Sequence, residues 1–315
     1  MPDFKSKSPF SDEFLASAAS RVLEGALRAG SREVLDGSVA PLRPEDLEGL
    51  RAGDLRTMVE QVLMTPRPDM ALIYLKLTSF LAACLPEIDG LAAFDDGSDE
   101  HKDLWDHTLK VVAQTPKEST LRWAALFHDI GKLRTKTTNE KGQVHFIGHE
   151  RVGAAMAARI MKKLQFPVEE AEQIRVLVLE HLRCGQYDSD WTDSAVRRLG
   201  KELGGRFEEL IKLSRADITT KRIKRKEAYL RLLDELWERF GKIREEDSRL
   251  PPLPSGLGDL IMEAFGLEPG PEVGRIRGAL EALVTSGQLE AGREPEYYIN
   301  YLNTEGNIVK SNKRM

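Results

Sequence analysis

Histidine is scarce and unevenly placed in this chain, and all six copies lie between His101 and His181. Imidazoles ligate metals and move protons near neutral pH, so the faces they occupy matter. In the helical pattern around 103–113 the apolar stripe is Leu104, Thr108, Val111 and Val112, and His107 falls inside it. In 121–129, Leu121, Ala124 and Ala125 project to the face that carries His128 and Asp129. From 146 onward, Val152, Met156 and Ile160 align with His149. In 168–182, Ile174, Leu177 and Val178 lead directly to His181, and in 207–218, Phe207, Leu210, Ile211 and Ser214 lead to Asp217 and Ile218. Five helices are thus expected each to aim an imidazole or a carboxylate inward, along a face that is otherwise core.

A single inward histidine is ordinarily a hydrogen-bonded core residue. Inward aspartates are different, because a buried carboxylate without a cationic partner is strongly disfavoured. The apolar faces carrying Asp129 and Asp217 offer few inward Arg or Lys residues. One or two divalent metal ions would satisfy both carboxylates and the four imidazoles at once, and mixed N/O ligation suits Mn, Fe, Co, Ni, Mg or Zn. Neighbours on a helix differ by about 100°, so His128 and Asp129 reach one cluster only if one of them flanks it. Asp129 can then bridge two metals through its two oxygens while His128 binds one of them. Lys132, just beyond Gly131, either reaches an anion over the metals or is an ordinary surface lysine. Lys221-Arg222-Ile223-Lys224-Arg225-Lys226 is a dense basic run. It reads either as a solvated helix face or as a turn whose Lys221, Arg222, Lys224 and Arg225 hold substrate phosphates without reading sequence.

The elements that must position these groups are helical. Ala, Leu, Glu, Arg and Lys dominate, apolar residues recur at three- and four-residue spacing, and β-branched alternation is rare, so an all-α fold is expected. Val144-His145-Phe146-Ile147 is the one candidate for a short extended piece. Pro167 sits at a helix start, Thr192 or Asp193 can cap a helix through Val196 and Leu199, and Pro271 opens a helix over 272–286 that follows another over 257–265. An acidic stretch from Asp89 to Glu100 and a Pro-rich stretch from Asp247 to Gly258 break the pattern. The expected segments are therefore 1–98, a central domain over 99–243, and a linker with a small helical segment over 244–315. Of 315 residues, 46 are basic and 51 acidic, giving a net charge of −5 and no global basic field. The two cysteines form no C-x-x-C pair, which argues against a disulfide scaffold and fits a reducing cytoplasm. No signal peptide is evident and no apolar run approaches the ~18 residues of a membrane span.

The pattern H…HD…H…H…D, here His107, His128-Asp129, His149, His181 and Asp217, resembles the HD-domain superfamily of metal-dependent phosphohydrolases, and His128-Asp129-Ile130-Gly131-Lys132 matches its HDIGK form. A closer resemblance is to the HD region of bacterial tRNA nucleotidyltransferases and poly(A)-polymerase-like proteins. It is carried by His101–Thr108, Leu121–Asp129, Phe146–Glu150 and Leu213–Ile218. Thr65-Pro66-Arg67-Pro68 and Leu85-Pro86-Glu87 are similar to the helical neck of those enzymes, and Leu267–Gly274 to the segment after the domain. Residues 1–98 show neither the Gly-Gly…Arg-Asp turn nor the paired Asp-x-Asp ligands of their polymerase head. The resemblance implies that His107, His128, Asp129 and Asp217 bind a first metal, with Asp129 bridging to a second held by His149 and His181. It implies a phosphodiesterase and/or phosphomonoesterase acting on nucleotide or RNA-terminal phosphates, with Asp129 and Lys132 assisting catalysis. The alternative is a non-catalytic or accessory module that binds tRNA or other RNA.

Overall fold

The computed structural model describes residues 9–11, 14, 17–31, 41–94, 104–248 and 252–304. They form an all-α fold. Helices α1 (Ala18–Gly30), α2 (Ala52–Leu63), α3 (Pro68–Leu77), α4 (Phe80–Cys84) and α5 (Pro86–Ala92) precede the His-rich region. α6 (Leu104–Gln114), α7 (Ser119–Phe127) and the single turn α8 (Lys132–Thr135) lead into a two-stranded hairpin, β1 (Thr137–Thr138) and β2 (Val144–His145). α9 (His149–Lys163), α10 (Val168–Glu180), α11 (Asp193–Leu203), α12 (Phe207–Asp217) and α13 (Ile223–Ser248) follow. α14 (Leu257–Phe265), α15 (Pro271–Thr285) and α16 (Pro295–Thr304) come last. The strands are antiparallel, pairing Thr137 with His145 and Thr138 with Val144, so of the extended piece expected at 144–147 only Val144 and His145 form a strand, one half of a hairpin. Among the described residues, no helix is long and apolar enough to cross a membrane.

The chain divides into two compact units, up to Phe240 and from Gly241. The division expected at 98/99 lies outside the described residues, and the one expected at 243/244 falls within α13. The break expected from Asp89 begins later, because Asp89 and Gly90 are still helical in α5. In the later unit, Leu257, Ile261, Ile276, Leu280, Tyr298 and Leu302 form a separate core. There the buried Tyr298 hydroxyl donates to the Glu290 carbonyl at 2.8 Å.

α7 is the spine of the first unit. Every residue from Leu121 to Phe127 is buried, including Trp123, which is the signature of a helix enclosed on all sides rather than lying on a surface. It packs against α2, α6, α9, α10 and α12. The one charge within it, Arg122, is buried but satisfied: its guanidinium donates to the carbonyls of Leu63, Thr65 and Thr115, tying the end of α2 to the α6–α7 turn. Helix signals behave as the residue types dictate. Thr192 caps α11 by accepting from the Ala195 amide, Pro271 opens α15, and Pro167 stands one position before α10. Cys84 and Cys184 are buried and unpaired, and burial pushes both thiols up to about 12, so neither offers a thiolate.

α7 is held to α9 by a close backbone approach. Gly131 lies in the turn after α7 with ordinary helical φ (−65°), so its conformation does not demand glycine; its surroundings do. A Cβ there would collide with the His149 carbonyl and come within 2.6 Å of the Gly153 amide nitrogen. Gly153 in turn faces Gly131 and the His128 carbonyl. Gly148 is required for its conformation instead. At φ 77° it reverses the chain from β2 into α9, a geometry glycine adopts without strain. Gly131→Ala should therefore cost about 1–3 kcal/mol through overpacking, whereas Gly90→Ala, which meets only Leu133 at ordinary contact distance, should not destabilise. Urea unfolding of both variants checks this; equal stability of Gly131→Ala and the parent chain would contradict it.

Candidate metal centre

The backbone contact between the α7–α8 turn and the start of α9 sets His128 and Asp129 beside His149, and two further imidazoles and a second carboxylate reach the same place from other helices. His107 projects from α6, while His128 and Asp129 follow the last residue of α7. His149 is the first residue of α9, His181 follows α10, and Asp217 ends α12. The expectation of ligands along apolar helical stripes is thus corrected in one respect: most of them stand at helix ends. The α9 stripe also shifts, because Gly153, Ala157 and Ile160 are buried while Val152 and Met156 are half-buried; the close approach at Gly153 sets that rotation.

Helix ends suit these imidazoles for a physical reason. Carbonyls of the last helical turn have no partner within the helix. His128 Nδ1–H donates to the Ala125 carbonyl at 2.8 Å and His181 Nδ1–H to Val178 at 2.7 Å. His149 Nδ1–H donates to Phe146 at 2.8 Å. A carbonyl only accepts, so in all three rings Nδ1 carries a proton, and in the neutral form of the ring Nε2 is the bare nitrogen and faces inward. His107 uses a side chain instead: its Nδ1 lies 2.9 Å from the Thr219 hydroxyl. Thr219 was not anticipated from sequence; its only mark is its place two residues beyond Asp217.

The inward nitrogens converge on Asp129. Oδ2 is 3.4 Å from His107 Nε2 and 3.2 Å from His128 Nε2, while Oδ1 is 3.3 Å from His149 Nε2 and 4.0 Å from His181 Nε2. Asp217 Oδ1 lies 3.0 Å from His107 Nε2 and 3.6 Å from His128 Nε2. Two ligand sets result, each with its donor atoms within 4.8 Å of one another: His107, His128 and Asp129, and Asp129, His149 and His181. His128, Asp129, His149 and His181 are buried, and His107 and Asp217 half-buried.

Lys132 supplies the cation that the sequence did not reveal for Asp129. Its Nζ donates to Oδ2 at 2.7 Å, from a position near the Phe146 ring. Burial opposes the Asp129 charge, yet His128, Lys132 and the hydrogen bonds from His107 and His128 hold this carboxyl well below the usual carboxylate range. Burial likewise opposes Asp217, and the His107 hydrogen bond and nearby His128 bring it down to about 2. His107 is raised, because the two carboxylates outweigh burial. His181 is lowered to about 4 by burial and by the neighbouring His128.

The donor set fits a divalent metal. His149 and His181 present Nε2 to Nε2 at 3.3 Å, and with both Nδ1 protons committed to carbonyls, the neutral forms of the two rings would turn lone pairs toward each other. A cation there resolves the repulsion, and burial opposes the proton that could do so on His181. His107 Nε2 and His128 Nε2 also stand close, at 3.2 Å. Neutral imidazole and carboxylate without thiolate is the donor chemistry of Mn, Fe, Co, Ni or Zn sites.

Beside the cluster lies a cleft of about 530 Å3 that shares His181 and Asp217 with it. Thr219, Tyr187 and Tyr229 line it, and so does Arg225. The other basic residues expected at the substrate, Lys221, Arg222 and Lys224, are exposed and outside the cleft lining. Tyr229 was also missed from sequence, although its i+4 spacing from Arg225 is a legible pairing signal.

Residues 102–228 match the family model of the HD domain, so the HD domain expected from the motif is present over that range. A CC-adding tRNA nucleotidyltransferase of Thermus thermophilus is 31% identical over 251 residues, covering 76% of this chain and 54% of that protein. An A-adding tRNA nucleotidyltransferase of Deinococcus radiodurans is 27% identical over 256 residues, covering 78% of this chain and 57% of that protein. A multifunctional CCA protein of Pseudomonas fluorescens is 30% identical over 161 residues, 46% of this chain. The chain spans about half the length of the first two relatives.

The tautomers can be read directly. In the metal-free chain, 15N-detected NMR should show His181 neutral, with Nδ1 protonated, from pH 7 down to a midpoint of about 4. A midpoint at the ordinary histidine value of 6.5 would contradict the burial and hydrogen bonding described.

Proposed function

We propose that this chain is a metal-dependent phosphohydrolase, a phosphodiesterase and/or phosphomonoesterase, acting on nucleotide or RNA-terminal phosphates. The observation that carries the reading is the placement of Asp129, one oxygen facing His107 and His128 and the other facing His149 and His181. In this reading His107, His128, Asp129 and Asp217 hold a first divalent ion, and Asp129, His149 and His181 a second. Bound ions of this kind activate water and offset the charge that develops on phosphorus. The protein's own contribution is positioning. The Nδ1 hydrogen bonds of His128, His149 and His181 leave Nε2 as the inward nitrogen of each ring, both carboxylates stay ionised, and Lys132 fixes Asp129 Oδ2 and adds positive charge beside the centre. Asp217 sits where the centre meets the cleft, so substrate phosphate would enter from that side. Arg225 supplies positive charge along the cleft, and Lys221, Arg222 and Lys224 add it on the adjoining exposed turn. We assign the protein to the cytoplasm, where buried free thiols such as Cys84 and Cys184 persist unpaired.

A second reading is favoured by one observation, the similarity to proteins named for adding nucleotides to tRNA. It makes the chain an accessory module that grips tRNA-like RNA through the basic turn, with the cluster as structural support.

A panel of p-nitrophenyl phosphate, bis-p-nitrophenyl phosphate and 2′,3′-cyclic nucleotides, each assayed with Mn, Ni, Co and Mg, separates the two. The hydrolase reading expects metal-dependent turnover, abolished together with metal content in Asp217→Asn while helicity by circular dichroism is retained. No turnover with any metal, alongside salt-sensitive tRNA binding that survives His128→Ala, would establish the accessory reading in its place. Full metal content in a destabilised Asp217→Asn would remove Asp217 from the ligand set.

A further inference from the structure

Three of the four rings in the centre are oriented by a backbone carbonyl earlier in the chain, Ala125 for His128, Phe146 for His149 and Val178 for His181. His107 is not. It lies inside α6, where the corresponding carbonyl, that of Leu104, already accepts from the Thr108 hydroxyl at 2.8 Å. Its inward neighbours also favour the wrong tautomer for a ligand. Nε2 stands 3.0 Å from Asp217 Oδ1 and 3.4 Å from Asp129 Oδ2, so a proton on Nε2 has two carboxylates to donate to. That proton closes the nitrogen to a metal. A neutral imidazole that offers Nε2 must keep its one proton on Nδ1, and a half-buried N–H needs an acceptor there.

Thr219 is placed to be that acceptor. α12 ends at Asp217, and the next residue, Ile218, leaves helical geometry at φ −74° and ψ 88°. The turn carries the Thr219 hydroxyl to 2.9 Å from His107 Nδ1. α6 grips the same stretch again about two turns further along, where Gln114 Nε2 donates to the Ala216 carbonyl at 2.7 Å. Asp217 is thus bracketed by contacts to α6, through Ala216 before it and Thr219 after it. The turn can act on one ion twice, directly through Asp217 and indirectly through the ring that Thr219 holds.

We propose that Thr219 is the positioning residue of the first ligand set: its hydroxyl accepts the Nδ1 proton of His107, keeps that proton off the inward nitrogen, and so holds Nε2 for the ion. The proposal rests on the ligand assignment of the hydrolase reading and adds the one outer hydrogen bond that backbone carbonyls do not supply. It also separates the two sets. His128, His149 and His181 take their orientation from carbonyls that no side-chain substitution removes, whereas the orientation of His107 depends on a single hydroxyl.

Calorimetric titration of the metal-stripped full chain with Mn2+ tests this without turnover. The parent chain should bind two ions. Thr219→Val, which keeps the shape and removes the hydroxyl, should weaken one of them about 10- to 100-fold, as loss of an outer partner of a ligating histidine does, and leave the other as it was. Thr219→Ser, which returns the hydroxyl, should recover most of the affinity. In a His107→Ala background Thr219→Val should have no further effect, because a residue that acts only through the ring then has nothing to act on. Thr220→Val removes the neighbouring hydroxyl, which accepts from the Arg222 amide at 3.3 Å, and should bind both ions as the parent does. If Thr219→Val does not fold, Thr219→Ala is judged against the same serine rescue. Unchanged affinity for both ions in Thr219→Val, equal weakening of both, or no rescue by serine would overturn the assignment. A parent chain that binds no Mn2+ would overturn it as well. Metal binding that responds in the expected way without turnover of any phosphate ester fails the hydrolase reading and leaves Thr219 in its role. Metal-dependent turnover in a chain whose Thr219→Val variant binds Mn2+ as tightly as the parent does the reverse.

Discussion

One buried carboxylate organises this protein. Asp129 lies at 2% exposure with its two oxygens turned to opposite pairs of imidazoles. A charge in that position is unfavourable unless matched by cations and hydrogen bonds. Lys132 supplies part of the compensation from the next helical turn. The remaining demand is geometric: four rings from four parts of the chain must bring Nε2 to the same carboxylate, and the packing of α6, α7, α9, α10 and α12 follows that requirement. The glycine contact between Gly131 and Gly153 is what lets the His128–Asp129 turn approach His149 closely enough.

The histidines also complete the helices that carry them. His128 and His181 occupy the carbonyls that a helix leaves unbonded in its last turn, so the same hydrogen bond finishes the helix and selects the ring tautomer. Stability and ligand orientation are therefore coupled, as is common around metal centres, where the second hydrogen bond of a histidine fixes its ring. His107, within α6 rather than at a helix end, has no such carbonyl and takes its partner from Thr219. That bond joins α6 to the turn following Asp217, and Gln114 reinforces it by donating to the Ala216 carbonyl at 2.7 Å. The open side of the centre, where Asp217 meets the cleft, lies in the same turn.

Much of this was legible in the residues and some was not. Apolar periodicity revealed the helices and, α9 apart, the inward side of those around the site, because burial of one face is what a three- to four-residue repeat encodes. The six candidate ligands were legible because each continues the phase of an apolar stripe, although most of them stand at the end of the helix or just beyond it. Caps at Thr192 and Pro271 were readable from local chemistry alone. What escaped depends on tertiary approach. The ring partner Thr219 carries no local mark, Lys132 shows its link to Asp129 only once the turn between them is formed, and the need for glycine at 131 comes from α9 rather than from its own φ. The shift of the α9 stripe from Val152 and Met156 to Gly153 and Ala157 has the same cause. Of the basic run, helical position decides which member meets the cleft, and only Arg225 faces it.

The account depends on Asp129 serving two ligand sets at once, and metal stoichiometry tests that most directly. The full chain purified without added metal should carry close to two ions per molecule, as expected of a bridged pair. His181→Ala should leave about one, and Asp129→Asn should leave almost none, with helical content preserved in both. Loss of a single ion from Asp129→Asn, or full occupancy in its absence, would show that the carboxylate does not join the two sets.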